Sequence, residues 1–313
     1  MQPTTVTFSG HESFPFRNTW LTKGVTAFAE DPTIFSKDEA MVILGVGKNM
    51  VQSIRHWCLV TRMLEEDPAI KNNRGRHLRP TAIARRLFIT AGGWDRYLED
   101  TGTLWLIHWL LATNSEKATT WYYAFNELNR PDFSRRMLEQ SIAGYASRVA
   151  NVRASQDTLK RDVDIFVRTY VGTRPSLDKM IEDSLDCPLS ELGLIFENPL
   201  ENHLAFARGP KDTLPDEVII YALSEYARGK SGQRTLSFEE LAYGPMGPGR
   251  VFRLDEASLA ERLDRLGTLT DEAWQFTETA GYKQVLLTSN VDPIAILGRY
   301  YQQRFGCRTG DMT

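Results

Sequence analysis

The sequence predicts a mainly α protein: an N-terminal winged helix-turn-helix, a helical middle region and a C-terminal winged-helix-like unit. Three observations carry that prediction. Helix-spaced apolar residues recur over most of the chain; a helix, a glycine turn, a helix and a basic ribbon follow one another between residues 35 and 90; and a similar order of elements returns after residue 215. The corresponding divisions are 1–92 for an N-terminal arm and winged unit, 93–214 for the helical region and 215–313 for the C-terminal unit.

The chain opens on an aromatic-rich arm, Phe8-Ser-Gly-His-Glu-Ser-Phe-Pro-Phe-Arg, followed by residues 20–28 with apolar positions at helical spacing. Ser36 with Glu39 three residues on has the form of a capping box and predicts a short helix over 37–44. Gly45-Val-Gly breaks it, and a second helix is expected over 48–59. Residues 59–64 favour a strand, Lys71-Asn-Asn-Arg-Gly-Arg reads as a basic turn, His77-Leu-Arg as the returning strand, and 81–88 as a helix. Helical periodicity then marks 94–112, 119–128, 134–149 and 177–185, with Asn129-Arg-Pro and Thr173-Arg-Pro as breaks. Pro199, Pro210 and Pro215 punctuate a loop-rich stretch before a helix over 215–227. The last part predicts helices over 237–242 and 256–266 around a loop, Gly244-Pro-Met-Gly-Pro-Gly, then strands over 273–277 and 282–287.

At 313 residues, 42% hydrophobic and 25% charged, the chain has material for more than one core, which excludes a disordered protein or a disulfide-stapled miniprotein. Cys58, Cys187 and Cys307 stand far apart with no C-x-x-C pair, arguing against a cysteine zinc site and for a reducing, cytoplasmic compartment. No signal-peptide pattern opens the sequence. The longest apolar stretch, 104–112, carries His108 and is too short to span a bilayer, so no membrane role is expected.

The formal net charge of −3 hides a segregation. Residues 48–86 hold nine basic side chains (Lys48, Arg55, Arg62, Lys71, Arg74, Arg76, Arg79, Arg85, Arg86) against three acidic ones, a local net of +6, which leaves −9 on the remainder. Only the winged segment therefore has the electrostatic footprint of a phosphate-binding surface. Within it the helix over 48–59 has a polar stripe of Lys48, Gln52, Arg55 and His56, opposed by Met50, Ile54 and Trp57. Gln and Arg have planar, two-pronged ends that match base edges, while Asn49, Arg74 and Arg76 suit backbone phosphates, and Arg62 and Arg79 belong to the same basic surface. DNA contact through these nine residues is the expectation, against the blander reading of a solvated helix face. The helix over 256–266 serves as a control, because Asp255, Glu256, Glu261 and Asp264 outweigh Arg262 and Arg265 and would repel phosphate.

Candidates for chemistry are fewer. Gly45-Val-Gly-Lys-Asn fails as a phosphate loop, since Val42 and Asn49 stand where a glycine and a Ser or Thr are needed. His11, Glu12 and Arg17 bring a proton-transfer group, a carboxylate and a cation into an aromatic setting, types that a phosphodiester-cleaving site would use, with a divalent metal as a possible cofactor. A buried histidine bonded to backbone, with Arg17 in a structural ion pair, is the more economical alternative. Asp157, Asp162 and Asp164 could offer carboxylates to a metal, but the two-residue spacing of the last pair diverges on a helix and reads better as a solvated face. Asp186, Cys187 and Glu191 read as a structural turn around Cys187-Pro188, and the Tyr243 to Val251 loop as a tight connection between helices.

Taken together, Phe8-Ser-Gly-His-Glu-Ser-Phe, Leu44-Gly-Val-Gly-Lys-Asn-Met-Val with Ile54-Arg-His-Trp, Asp186-Cys-Pro-Leu-Ser-Glu-Leu-Gly-Leu and Glu278-Thr-Ala-Gly resemble a bacterial family long labelled as of unknown function, over nearly the whole chain. Its members include the DNA-nicking component of the Ssp DNA phosphorothioation defence systems. The resemblance implies a DNA-nicking protein acting with a cysteine desulfurase, a sulfur-transfer ATP-pyrophosphatase and an ATPase, so that sulfur replaces one phosphate oxygen in a strand. It assigns no nuclease residue. A non-enzymatic winged-helix DNA-binding adaptor or transcriptional regulator is the alternative that the residues themselves leave open.

Overall fold

The computed structural model describes residues 5–70, 77–172, 187–198, 203–230 and 232–306. Behind the arm come α1 (Trp20–Glu30), α2 (Ala40–Leu44) and α3 (Lys48–Val60). Strands β1 (Leu64–Glu66) and β2 (Leu78–Pro80) then pair antiparallel, with Glu65 opposite Arg79. Gly45 ends α2 at a φ of 65°, a left-handed turn that costs a side-chain-bearing residue roughly 1–2 kcal/mol and that redirects the chain into α3. The capping box expected at Ser36 does not form. Residues Ile34–Ser36 make a 3-10 turn, Lys37 is extended and paired with Asp31, and α2 begins only at Ala40 without a side-chain cap.

The helix expected over 81–88 is present as α4 (Ala82–Ala84), capped by the Thr81 hydroxyl and continued by a π turn over Arg85–Ile89. Periodicity from residue 94 overreaches: α5 is Thr101–Ala112, because the Asp95 carboxylate accepts the Glu99 and Asp100 amides and Asp100 in turn caps the helix. Every α5 side chain from Thr103 to Ala112 is buried. Then follow α6 (Thr119–Tyr122), continued by a π turn over Tyr123–Glu127, β3 (Asp132–Phe133), α7 (Arg135–Ala150) and α8 (Gln156–Tyr170). A 3-10 turn over Pro188–Leu192 leads to β4 (Ile195–Asn198) and β5 (His203–Phe206), and β3, β5 and β4 form a small antiparallel sheet inside the region expected to be wholly helical. The helix expected over 177–185 lies outside the described residues, as do Lys71, Arg74, Arg76, Asp186 and Cys307.

The C-terminal part runs α9 (Asp216–Gly229), β6 (Thr235–Ser237), α10 (Phe238–Tyr243), α11 (Pro248–Val251), α12 (Glu256–Asp264), α13 (Leu266–Leu269), β7 (Trp274–Thr279), β8 (Tyr282–Leu287) and α14 (Pro293–Phe305). Strand β8 lies between β6 and β7. The chain is thus mainly helical with three small antiparallel sheets among its described residues. One contiguous apolar cluster reaches from Phe16 through Trp57, Trp105, Trp121 and Phe166 to Phe252 and Tyr301. Among the described residues no helix is long and apolar enough to cross a membrane.

Candidate nucleic-acid interface

The arm and α3 build one another. Helix α3 turns Ile54, Trp57 and Cys58 into the core and uses its flank to hold the arm: Ser53 Oγ donates to the His11 carbonyl at 2.9 Å and Trp57 Nε1 to the Phe14 carbonyl at 3.1 Å. His56 sits against the arm as well. A Cβ on Gly10 would come 2.2 Å from His56 Nδ1, so the arm approaches this closely only because residue 10 is glycine.

His11 is the hinge pin of the arm and is buried. Ser13 N–H donates to its Nδ1 at 3.1 Å, which leaves Nε2 as the protonated nitrogen, donating to Asp162 Oδ1 at 2.9 Å. Asp162 also accepts the Ser9 amide at 2.7 Å and the Thr120 hydroxyl at 2.6 Å. This buried carboxylate therefore ties arm, α6 and α8 together, and the expectation of a solvated face at Asp162 is corrected; Asp157 does stay exposed. The reason is position: on α8, Asp162 falls with Leu159, Val163 and Phe166 on the buried side. Glu12 is exposed and turned away from that network, and Arg17 lies 5.5 Å from the Trp20 ring and 6.0 Å from Phe14. The three residues do not converge on one point, and neither Asp162 as the partner of His11 nor Thr120 as a donor to that carboxylate was visible in the sequence, since both lie more than a hundred residues downstream of the histidine.

The nine DNA-binding candidates divide. Lys48, Asn49 and Gln52 stand exposed in one row at the start of α3, beside a shallow depression that Phe14 and Met50 also line. Arg55 is half-buried, and its field meets that of Glu66, which Lys117 also grips at 2.7 Å. His56 drops out as a cation: burial, together with its histidine neighbour His11, pushes it down to about 3, and its Nε2 has no hydrogen-bond partner. Arg62 turns inward to the Thr113 carbonyl at 2.8 Å and towards Glu225 at 3.7 Å, because its left-handed backbone at the end of α3 aims it at the helical region. Arg79 pairs across the ribbon with Glu65 at 2.7 Å. Arg74 and Arg76 lie outside the described residues. Arg85 and Arg86, counted in the basic segment but not singled out, are exposed on the π turn after α4 and add to the same surface charge.

Two comparisons match this chain. The family model described as "Protein of unknown function (DUF4007)" matches residues 8–301. Among solved structures the chain is similar to the SspB crystal structure, at 30% identity and a TM-score of 0.82, over 97% of this chain and 90% of that one. It is similar to the same extent to the magnesium ion-bound SspB crystal structure, at 29% identity and the same TM-score and coverage. No curated protein matches the sequence.

Proposed function

From the premise that this chain belongs to the DUF4007 family, we propose that it is an SspB-like component of a bacterial DNA phosphorothioation system, binding DNA through its N-terminal unit. The likeness to SspB over almost the entire chain carries the system-level reading, and the exposed Lys48, Asn49 and Gln52 row carries the DNA-binding one. Helices α2 and α3 joined by a glycine turn, then a two-stranded ribbon, support reading the unit as a winged helix-turn-helix with α3 as the helix that enters a groove. In such a system the partners are a cysteine desulfurase, a sulfur-transfer ATP-pyrophosphatase and an ATPase, and the site of action is the cytoplasm. The test is duplex binding at graded salt. A steep fall in affinity with salt, made shallower by Lys48→Ala with Arg85→Ala, is the expected result; salt-independent binding, or none, overturns the reading.

Strand nicking belongs to the same proposal, with His11 as proton-transfer group, Glu12 beside it and Arg17 as phosphate stabiliser. An imidazole aligned by the Asp162 carboxylate supports it. The reaction needs Nδ1 released from the Ser13 amide and Glu12 brought to the ring. Magnesium occurs in one of the SspB structures. Among the described residues here no three His, Cys, Asp or Glu side chains converge in a group that could hold a metal ion.

The second reading, a non-enzymatic adaptor that presents the strand, is favoured by the same histidine, which is buried with both ring nitrogens engaged. Conversion of supercoiled plasmid to open circle by the purified protein, with and without divalent metal, separates the two. Nicking lost in His11→Ala but retained in an equally destabilised core variant supports catalysis; nicking unchanged in His11→Ala sinks the assignment.

A further inference from the structure

Away from the N-terminal unit, a half-open cavity of about 420 Å³ lies between the end of the α6 π turn, β5 and the α10–α11 corner. Four of its lining residues are arginines: Arg130, Arg208, Arg250 and Arg253. Aromatic faces carry two of them. The Arg253 guanidinium lies 3.7 Å from the centroid of Phe206, and that of Arg208 lies 5.2 Å from Tyr243.

The balance of charge there is unusual. Among the described residues none of the four arginines is ion-paired with a carboxylate; Glu127 contributes only a longer-range field at Arg250, and Asp255 at Arg208. Their hydrogen bonds go to neutral acceptors instead, that of Arg130 to the Met137 sulfur at 3.7 Å. Arg253 donates to the Ala124 carbonyl at 2.8 Å, Arg208 to the Leu254 carbonyl at 3.3 Å, and Arg250 to the Tyr243 carbonyl at 2.9 Å and to Asn129 Oδ1 at 2.6 Å. Nε of Arg250 and Nε of Arg253 are buried with no hydrogen-bond partner among the described residues. A guanidinium has five N–H donors, so Arg253 uses a small part of its capacity. Burial, with Arg250 and Arg208 next to it, pushes Arg253 down to about 9, and its backbone stands at a φ of 56°. Like charges gathered in a poorly hydrated recess are costly unless something of opposite charge completes them.

We propose that this cavity is a phosphate-binding site, distinct from the surface around α3 and independent of the function proposed above. Three guanidiniums around one opening, Arg208, Arg250 and Arg253, offer donors from several directions. That matches the three or four acceptor oxygens of a phosphate group, whereas a carboxylate presents only two in a plane. Aromatic packing explains how Arg253 is held, but it leaves the two buried Nε donors and the convergence of positive charge without a counterpart. The tight Gly244-Pro-Met-Gly-Pro-Gly connection supplies the corner: Gly244 N bonds to the Glu240 carbonyl and Gly247 N to the Gly244 carbonyl, both at 2.9 Å, and Arg250 follows on α11.

The test uses the full chain, with ionic strength held constant by chloride while inorganic phosphate is titrated by calorimetry and melting. Saturable binding with a rise in melting temperature is expected. Arg208→Gln and Arg250→Gln each weaken it by about tenfold or more while melting as the wild type does without phosphate. Arg208 is exposed, so that variant reports on binding even if Arg250→Gln unfolds. Stabilisation that never saturates, or that persists in Arg208→Gln, overturns the site. Two further arms identify the source. Competition by a short DNA duplex assigns the phosphate to a nucleic-acid backbone, and competition by a mononucleotide but not by duplex assigns it to a free phosphoester. Lys48→Ala leaves phosphate binding unchanged, so failure here and failure of the α3 surface are read separately.

Discussion

The two ends of the chain carry the same sequence of parts, short helices followed by a ribbon, and use charge in opposite ways. On α3 the exposed row is Lys48, Asn49 and Gln52, while the acidic groups nearby, Glu65 and Glu66, are taken up by Arg79 and Lys117. On α12 the arginines are the ones taken up. Arg262 and Arg265 both bind Asp216 at 2.6 Å, Arg262 also donates to the Leu214 and Lys211 carbonyls and Arg265 to Glu261 at 3.0 Å, while Glu256 and Asp264 stay exposed. Element order therefore does not decide what a face can bind; which charges find internal partners does.

The largest expected effect comes from breaking the brace that ties the arm of the N-terminal unit to α6 and α8. Asp162→Asn removes the charged acceptor of three buried donors and should cost about 3 kcal/mol, read as a lower midpoint in denaturant. An unchanged midpoint would dismiss the arm's attachment as a source of stability.

Acid should act next. His108 is buried between the Tyr170 hydroxyl and the Val251 carbonyl, and desolvation pushes it down to about 3. Its folded value lies below the unfolded one, so its contribution is complete above about pH 6.5. It is lost as pH falls towards 3, at up to about 1.4 kcal/mol per pH unit. His56 acts with the same sign on the N-terminal side. Unfolding curves at pH 7 and pH 5 check this, and His108→Phe should flatten the difference.

Asp216→Ala sharpens the comparison itself. It frees Arg262 and Arg265, should cost about 1–2 kcal/mol of stability, and returns positive charge to α12. A rise in DNA affinity, measured by fluorescence anisotropy, is the expected sign; a fall would mean that α12 takes part in binding as it stands. Lys48→Ala is the smallest change, a loss of about 1 kcal/mol in duplex affinity with the salt slope reduced by about 1, and stability unaltered.

What was legible in the sequence follows from the range of each interaction. Helix α3 was readable to within a residue, because Met50, Ile54 and Trp57 recur at helical spacing, although Val51 and Cys58 rather than the half-buried Met50 complete the face that is buried. Strand β8 was readable because the short run Tyr282–Leu287 follows directly on the Ala280-Gly281 turn. The β3–β5–β4 sheet was not, since its strands are two to four residues long and β3 pairs with β5 across some seventy positions. Ser36 had the right neighbours for a cap and was overruled by the pull of Asp31 on Lys37. At the site, the stripe of Lys48, Gln52, Arg55 and His56 found the side of α3 on which Lys48 and Gln52 stand exposed, while Arg55 and His56 are largely covered. It did not show that Gly10 would draw the arm onto His56, or that Arg62 would turn inward, because both depend on residues from elsewhere in the chain.

The bond between His11 and Asp162 spans 151 positions. At about 5–20 residues per second, the carboxylate leaves the ribosome roughly 10–30 s after the histidine that it anchors. Helix α3 and its ribbon are complete long before then, so the newborn arm can bond to Ser53 and Trp57 but lacks its Asp162 anchor. The order of synthesis thus makes α8 the closing piece of a unit that was translated first.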